Sequence, residues 1–122
     1  MQKTNKEYSL LYDFYGELLS ERQREVFELY YEENLSLSEI AENVGVSRQA
    51  VHISAGKANR ALENFEEKLG LIRKHESNER ALKEAEAIID AIMKDRDRMF
   101  EIGEETAKDL KRIRKLMKGI EI

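Results

Sequence analysis

Residues 37–51, LSEIAENVGVSRQAV, constrain the fold more than any other part of the chain. Two short helices cross at a steep angle only where a small residue sits at their closest approach and the turn between them bends sharply. Ala41 meets the first need. Gly45 meets the second, because φ > 0 costs glycine nothing. Ile40, Val44, Val46 and Val51 form the apolar wedge between the two helices. Ser36 with Glu39 three residues on is a capping box that opens the first helix, and Ser47 caps the second. The pattern predicts a helix-turn-helix rather than an ordinary helical hairpin.

The rest of the chain also reads as helix, so the expected fold class is all-α, with five helices. Residues 7–19 place Leu11, Phe14, Tyr15 and Leu18 at i, i+3, i+4 and i+7. Ser20 with Gln23 is a second capping box. It opens a helix expected to reach residue 33 and to turn Val26, Phe27, Tyr30 and Tyr31 inward. The helix capped by Ser47 runs to residue 69 and stops at Gly70, with Val51, Ala55, Ala58, Leu62, Phe65 and Leu69 along one side. Gly56 inside it costs about 1 kcal/mol relative to Ala and marks close packing or a soft point.

Residues 71–78 read as a polar link, and residues 79–122 as one long helix. From 82 to 120, twelve positions recur at alternating spacings of three and four, and nine are apolar: Leu82, Ala85, Ile89, Ile92, Met99, Leu110, Ile113, Met117 and Ile120. Arg96, Gly103 and Thr106 interrupt the seam, and Gly103 is the place for a kink. A seam of about 57 Å at ~1.5 Å per residue calls for a partner. The simplest is a second copy, with Leu82, Ala85, Ile89, Ile92, Met99, Leu110, Ile113 and Met117 at the homodimer interface. The expected organisation is a helix-turn-helix domain at 1–70, the link, and a dimerisation helix.

Composition narrows the function. The chain has no Cys, which removes disulfides, thiolate metal sites and cysteine nucleophiles. The polar start, Met1-Gln2-Lys3-Thr4, has no apolar signal core, and no run approaches the ~20 apolar residues of a membrane span. The expected compartment is the cytoplasm. His52 and His75 have no metal-ligand spacing around them, and there is no phosphate-binding glycine loop. The expectation is a protein without enzymatic activity or cofactor.

The net charge of −4 argues against broad nucleic-acid affinity, but the charge is unevenly spread. Residues 1–70 hold 8 Lys/Arg against 13 Asp/Glu, and residues 71–122 hold 13 against 12. Within the acidic half, residues 47–60 contain no acid and carry +3. A recognition helix puts its first turns into the major groove, where Arg pairs with guanine and Gln with adenine. Arg48, Gln49 and His52 stand at those positions. Lys57 and Arg60 further along, and Ser36 and Ser38 at the start of the first helix, are placed for phosphates, and Ser47 belongs to the same nucleic-acid-binding set. The alternative is a merely solvated helix face. The basic run Lys108, Lys111, Arg112, Arg114, Lys115 and Lys118 suits a helix C-terminus, whose dipole favours cations, or else an RNA or lipid headgroup. The tyrosines and phenylalanines of residues 8–31 fall at core spacing, with a base-stacking surface as the other reading.

Residues 35–62, with Glu21-Arg22-Gln23-Arg24-Glu25 upstream, resemble region 4 of bacterial sigma factors. Residues 4–70 are more similar still to the YlxM-like family, through Tyr12-Asp13-Phe14-Tyr15, Leu29-Tyr30-Tyr31 and Ser47-Arg48-Gln49-Ala50-Val51. That family comprises helix-turn-helix proteins encoded beside the GTPase gene of the signal recognition particle. The resemblance implies a sigma-region-4-like fold and a regulatory link to that pathway. It leaves two partners open: DNA, or the RNA or protein of the particle. The chain departs from the sigma pattern at Ile53-Ser54, where a polar residue and then an apolar one are usual, so the reading face presents an isoleucine.

Overall fold

The computed structural model describes residues 3–120. Met1 and Gln2 of the polar start, and the last two residues of the expected 79–122 helix, lie outside the described residues. Every regular element among the described residues is helical. The chain divides into two compact units, one ending at Ile72 and one beginning at Arg73.

The first unit opens with α1 (Asn5–Tyr15). Thr4 Oγ1 accepts the Glu7 N–H at 3.1 Å, and the Glu7 carboxylate accepts the Thr4 N–H at 3.1 Å, a capping box that starts the helix earlier than expected. The chain then tightens into a 3₁₀ turn, Gly16–Leu18. The change of pitch turns Leu19 inward (6 % exposed) and leaves Leu18 outside (58 %), so the expected core place of Leu18 is taken by its neighbour. α2 (Glu21–Phe27) begins at the Ser20–Gln23 box, as the sequence indicates. It does not continue as α-helix to residue 33. Residues Glu28–Glu32 form a wider π turn, with the Glu33 N–H bonded to the Glu28 carbonyl at 3.1 Å. Tyr31 still packs on the core, whereas Tyr30 is left at the surface. Asn34, at φ 56, turns the chain, a conformation Asn tolerates better than most residues.

α3 (Leu37–Val44) and α4 (Arg48–Leu69) are the helix-turn-helix pair. Gly45 has φ 74, and the N–H groups of Gly45 and Val46 both bond the Ala41 carbonyl, at 2.9 and 3.2 Å. α4 joins two apolar clusters. Its first turns give Val51 to a cluster with Val26 and Ile40, and its middle gives Ala58 and Leu62 to one with Tyr8, Leu11, Tyr15, Leu19 and Phe27. Each large side chain buried this way stabilises by about 1.5–3 kcal/mol. α4 is therefore held along its length, and its outer face is presented on a fixed support.

Residues 71–78, expected as a polar link, are helical: α5 (Leu71–Lys94) starts directly after Gly70. The cause lies far away in sequence. The Tyr15 hydroxyl accepts the Leu71 N–H at 3.1 Å while donating to Glu66 at 2.5 Å, and Glu66 accepts the Ile72 N–H at 3.0 Å. Two of the donors a helix start leaves unpaired are thereby satisfied without a local cap.

Nor is the second unit one long helix. Asp95 interrupts it at ψ 106, its carboxylate accepting the N–H groups of Asp97 and Arg98 at 3.1 and 3.2 Å, and α6 (Arg96–Lys118) follows. The kink expected at Gly103 is present, at φ 77 and ψ 172. Arg114 donates to Asp90 at 3.3 Å, and Leu82 and Glu86 line the same cavity as Met117 and Lys118. Rising numbers on one helix meet falling numbers on the other, so α6 returns antiparallel along α5. The expected seam is thus partly covered within the chain. Ile89 is buried, Leu82, Ala85, Ile92, Met99, Leu110 and Met117 are half-buried, and Ile113 remains exposed.

Candidate nucleic-acid interface

The local sequence around α4 dictates which side faces out. With Val51, Ala58 and Leu62 committed to the core, a period of about 3.6 residues turns Gln49, Ile53, Gly56 and Arg60 the other way. Arg48, Gln49, His52, Ile53, Lys57 and Arg60 are exposed. Ser47 Oγ accepts the Ala50 N–H at 3.0 Å, which fixes the helix start. Ser36 Oγ similarly accepts the Glu39 N–H at 3.1 Å, while Ser38 stands exposed beside it on α3. The Glu39 carboxyl is held below the usual carboxylate range by the Ser36 backbone N–H and then the Ser36 hydroxyl. The expected contact residues therefore spread over the outward half of α4, from Arg48 on one flank to Lys57 on the other, and over the start of the adjoining helix. Two of the serines already spend an acceptor on a cap.

The sequence did not indicate two features of this face. Arg60 folds back along α4: a methyl group on Gly56 would lie 3.3 Å from its Nη1. The bare Gly56 backbone accommodates the guanidinium, which lies toward the N-terminal, reading end of the helix. The second feature is a cleft of about 350 Å³ on the flank of α4, between His52, Gly56 and Asn59 and the ring of Tyr30. Lys3 and Asn5 also line it. Helical spacing i, i+4, i+7 flags the α4 wall, but nothing in the local sequence brings Lys3 or Tyr30 to it.

The support behind the face is a set of tyrosine–carboxylate pairs. Tyr8 donates to Glu63 at 2.7 Å, Tyr12 to Glu28, and Tyr15 to Glu66. Burial, and then the Glu63 carboxylate, push the Tyr8 hydroxyl up to about 12. Burial comes first for Tyr12 and Tyr15 also, raising both, with Glu28 and Glu66 adding to it. Two of the α4 acids, Glu63 and Glu66, are thus absorbed on the inner side, past residue 60. The rings are mainly core, with Tyr12 stacked on Phe27 at 4.5 Å. Tyr30 is the one left exposed beside the cleft.

Among the described residues, no three His, Cys, Asp or Glu side chains gather as a metal ion requires. No described helix is long and apolar enough to cross a membrane.

This architecture agrees with what similar proteins are. The UPF0122 family model, described as "Putative helix-turn-helix protein, YlxM / p13 like", matches residues 1–102. A UPF0122 protein of Thermoanaerobacter sp. is 42 % identical over 108 residues, covering 86 % of this chain and 92 % of the relative. One from Desulforamulus reducens is 50 % identical over 82 residues, covering 67 % and 70 %. One from Listeria welshimeri is 43 % identical over 86 residues, covering 70 % and 77 %. The chain belongs to the YlxM/p13-like helix-turn-helix family.

Proposed function

We propose that this protein is a nucleic-acid-binding regulatory protein that lays the first turns of α4 in the major groove of duplex DNA. The observation that carries the reading is the acid-free stretch 47–60, whose Arg48, Gln49, His52, Lys57 and Arg60 are exposed together on a helix anchored in two apolar clusters. Arg48 and Gln49 read base edges, while Lys57, Arg60 and the α3 start meet phosphates. Resemblance to the YlxM-like family makes the signal recognition particle pathway the setting, in the cytoplasm. A second reading, RNA or protein binding in that pathway, has its own support. Lys108, Lys111, Arg112, Lys115 and Lys118 are all exposed on α6.

The hairpin extends the proposal to a homodimer. The Asp90–Arg114 pair marks one side of it, and helical register then places the exposed Ile88, Ile113 and Leu116 together on the other. A second copy covers that strip and sets two α4 helices for paired half-sites. Ile113→Asp is expected to sediment as a monomer where the unmodified chain is a dimer. A monomeric unmodified chain removes this part of the proposal.

Anisotropy titrations of mixed-sequence duplexes test the binding. Two cations on phosphates, Lys57 and Arg60, give a log K against log[salt] slope of about −2, at roughly −0.9 per phosphate neutralised. Arg48→Ala is expected to lose about 1–3 kcal/mol on a preferred site and to relax discrimination at one base position. Unchanged binding by Arg48→Ala on every duplex contradicts the reading.

A further inference from the structure

We infer that the cleft beside α4 is a binding site for an unpaired nucleobase of the same nucleic acid that α4 contacts. The inference rests on the proposed function and specifies the kind of strand involved.

The cleft, at about 350 Å³, lies at the small end of the ~300–1,000 Å³ typical of small-molecule sites. Its walls are of two kinds. On one side Tyr30 stands edge-on to Tyr31, ring centroids 4.9 Å apart, and Tyr8 lies 5.5 Å from Tyr31. Only Tyr30 is exposed, so its face is the one available for stacking. On the other side, Asn59 donates from Nδ2 to the Tyr31 hydroxyl at 2.8 Å. Oδ1 of the same amide is buried with no hydrogen-bond partner. An amide has two donors and an acceptor with two lone pairs. Asn59 therefore keeps an acceptor next to a spare donor, and the Watson–Crick edge of a base offers the complementary pair. Oδ1 is buried, so the amide meets a base through a small turn of the Asn59 side chain, which also relieves an unpaired polar atom.

The rim supplies what the rest of a nucleotide needs. Lys3 and His52 line the mouth, and the Arg60 guanidinium lies over the bare backbone of Gly56, also a lining residue. Arg and Lys pair with phosphate. A base inside a regular duplex cannot enter the cleft, whereas one in a bulge, loop or single strand can, and unstacking costs least there.

The test uses the full chain and two duplexes of the same sequence, one perfectly paired and one with a single unpaired 2-aminopurine. The bulged duplex is expected to bind about tenfold tighter, with its fluorescence quenched by stacking. Tyr30→Ala abolishes that preference while leaving affinity for the perfect duplex unchanged. Tyr30→Phe retains it. Adenosine monophosphate added alone is followed by the ring resonances of Tyr30 and Tyr31. Ring shifts without binding of either duplex uphold the cleft and overturn the function proposed above. Equal affinity for both duplexes, or a preference that survives Tyr30→Ala, overturns the cleft and leaves duplex binding standing. Absence of ring shifts together with absence of duplex binding overturns both.

Discussion

The two units solve the same problem, covering apolar helix faces, to very different degrees. Of the eleven buried hydrophobic residues among the described residues, ten lie in the first unit and only Ile89 in the second. The first unit surrounds α4 from several directions and so encloses two apolar clusters, although Leu10, Leu18, Tyr30, Ile53, Leu69 and Leu71 stay exposed on it. The second has only two helices laid side by side, which leaves Ile88, Phe100, Ile113, Leu116 and Ile120 exposed. Its charged groups do some of the holding, through Asp90–Arg114 and exposed pairs such as Lys83–Glu79, which contribute little in water. The difference teaches that a rigid frame for contact resides in the first unit, and that the hairpin depends more on what it meets.

The largest expected effect follows directly. Leu62→Ala opens a cavity where α4 crosses the core and is expected to cost about 2–5 kcal/mol. Ile89→Ala, in the hairpin, is expected to cost less than half as much, because its surroundings collapse more easily. Denaturant unfolding of both variants measures this, and equal losses break the comparison.

High pH should separate the units next. All five tyrosines lie in the first unit. The folded state holds the Tyr8 proton until about pH 12, and Tyr12, Tyr15 and Tyr31 are raised by burial as well. An unfolded chain releases these protons near the ordinary value of about 10. The stabilisation is therefore complete below about pH 10 and is lost as the pH rises toward 12. Tyrosinate absorbance and loss of first-unit structure are expected to rise together over that window. Ionisation near pH 10 with the fold intact contradicts it.

The smallest effect is the sharpest. Gly56→Ala meets only the flexible end of Arg60, so α4 is expected to gain about 1 kcal/mol of stability from helix propensity. Displacing Arg60 weakens nucleic-acid binding at the same time. Calorimetry and anisotropy on one preparation reveal the opposite signs.

How much of this was legible in the sequence depended on the range of the cause. Caps were local and readable at Ser20, Ser36 and Ser47. Thr4–Glu7 is the same motif and was available to the same reasoning. The π turn at 28–32 was hidden because its residues also satisfy an α-helical period. The start of α5 was hidden because its donors are satisfied by Tyr15 and Glu66, and no local signal marks it. The seam from 82 to 120 showed that a face was apolar, but the break at Asp95 let α6 supply part of the cover. Of the interface, the α4 positions were legible from one helix. The cleft was not, since Lys3, Tyr30 and Asn59 come from three separate segments.

The central claim is that α4, and not the cationic run of α6, makes the nucleic-acid contact. Backbone amide shifts of the full chain, titrated with a mixed-sequence duplex, test it most directly. The account predicts the largest shifts at residues 47–60 and at the start of α3, saturating together. Shifts confined to residues 108–118, with 47–60 unmoved, would contradict it.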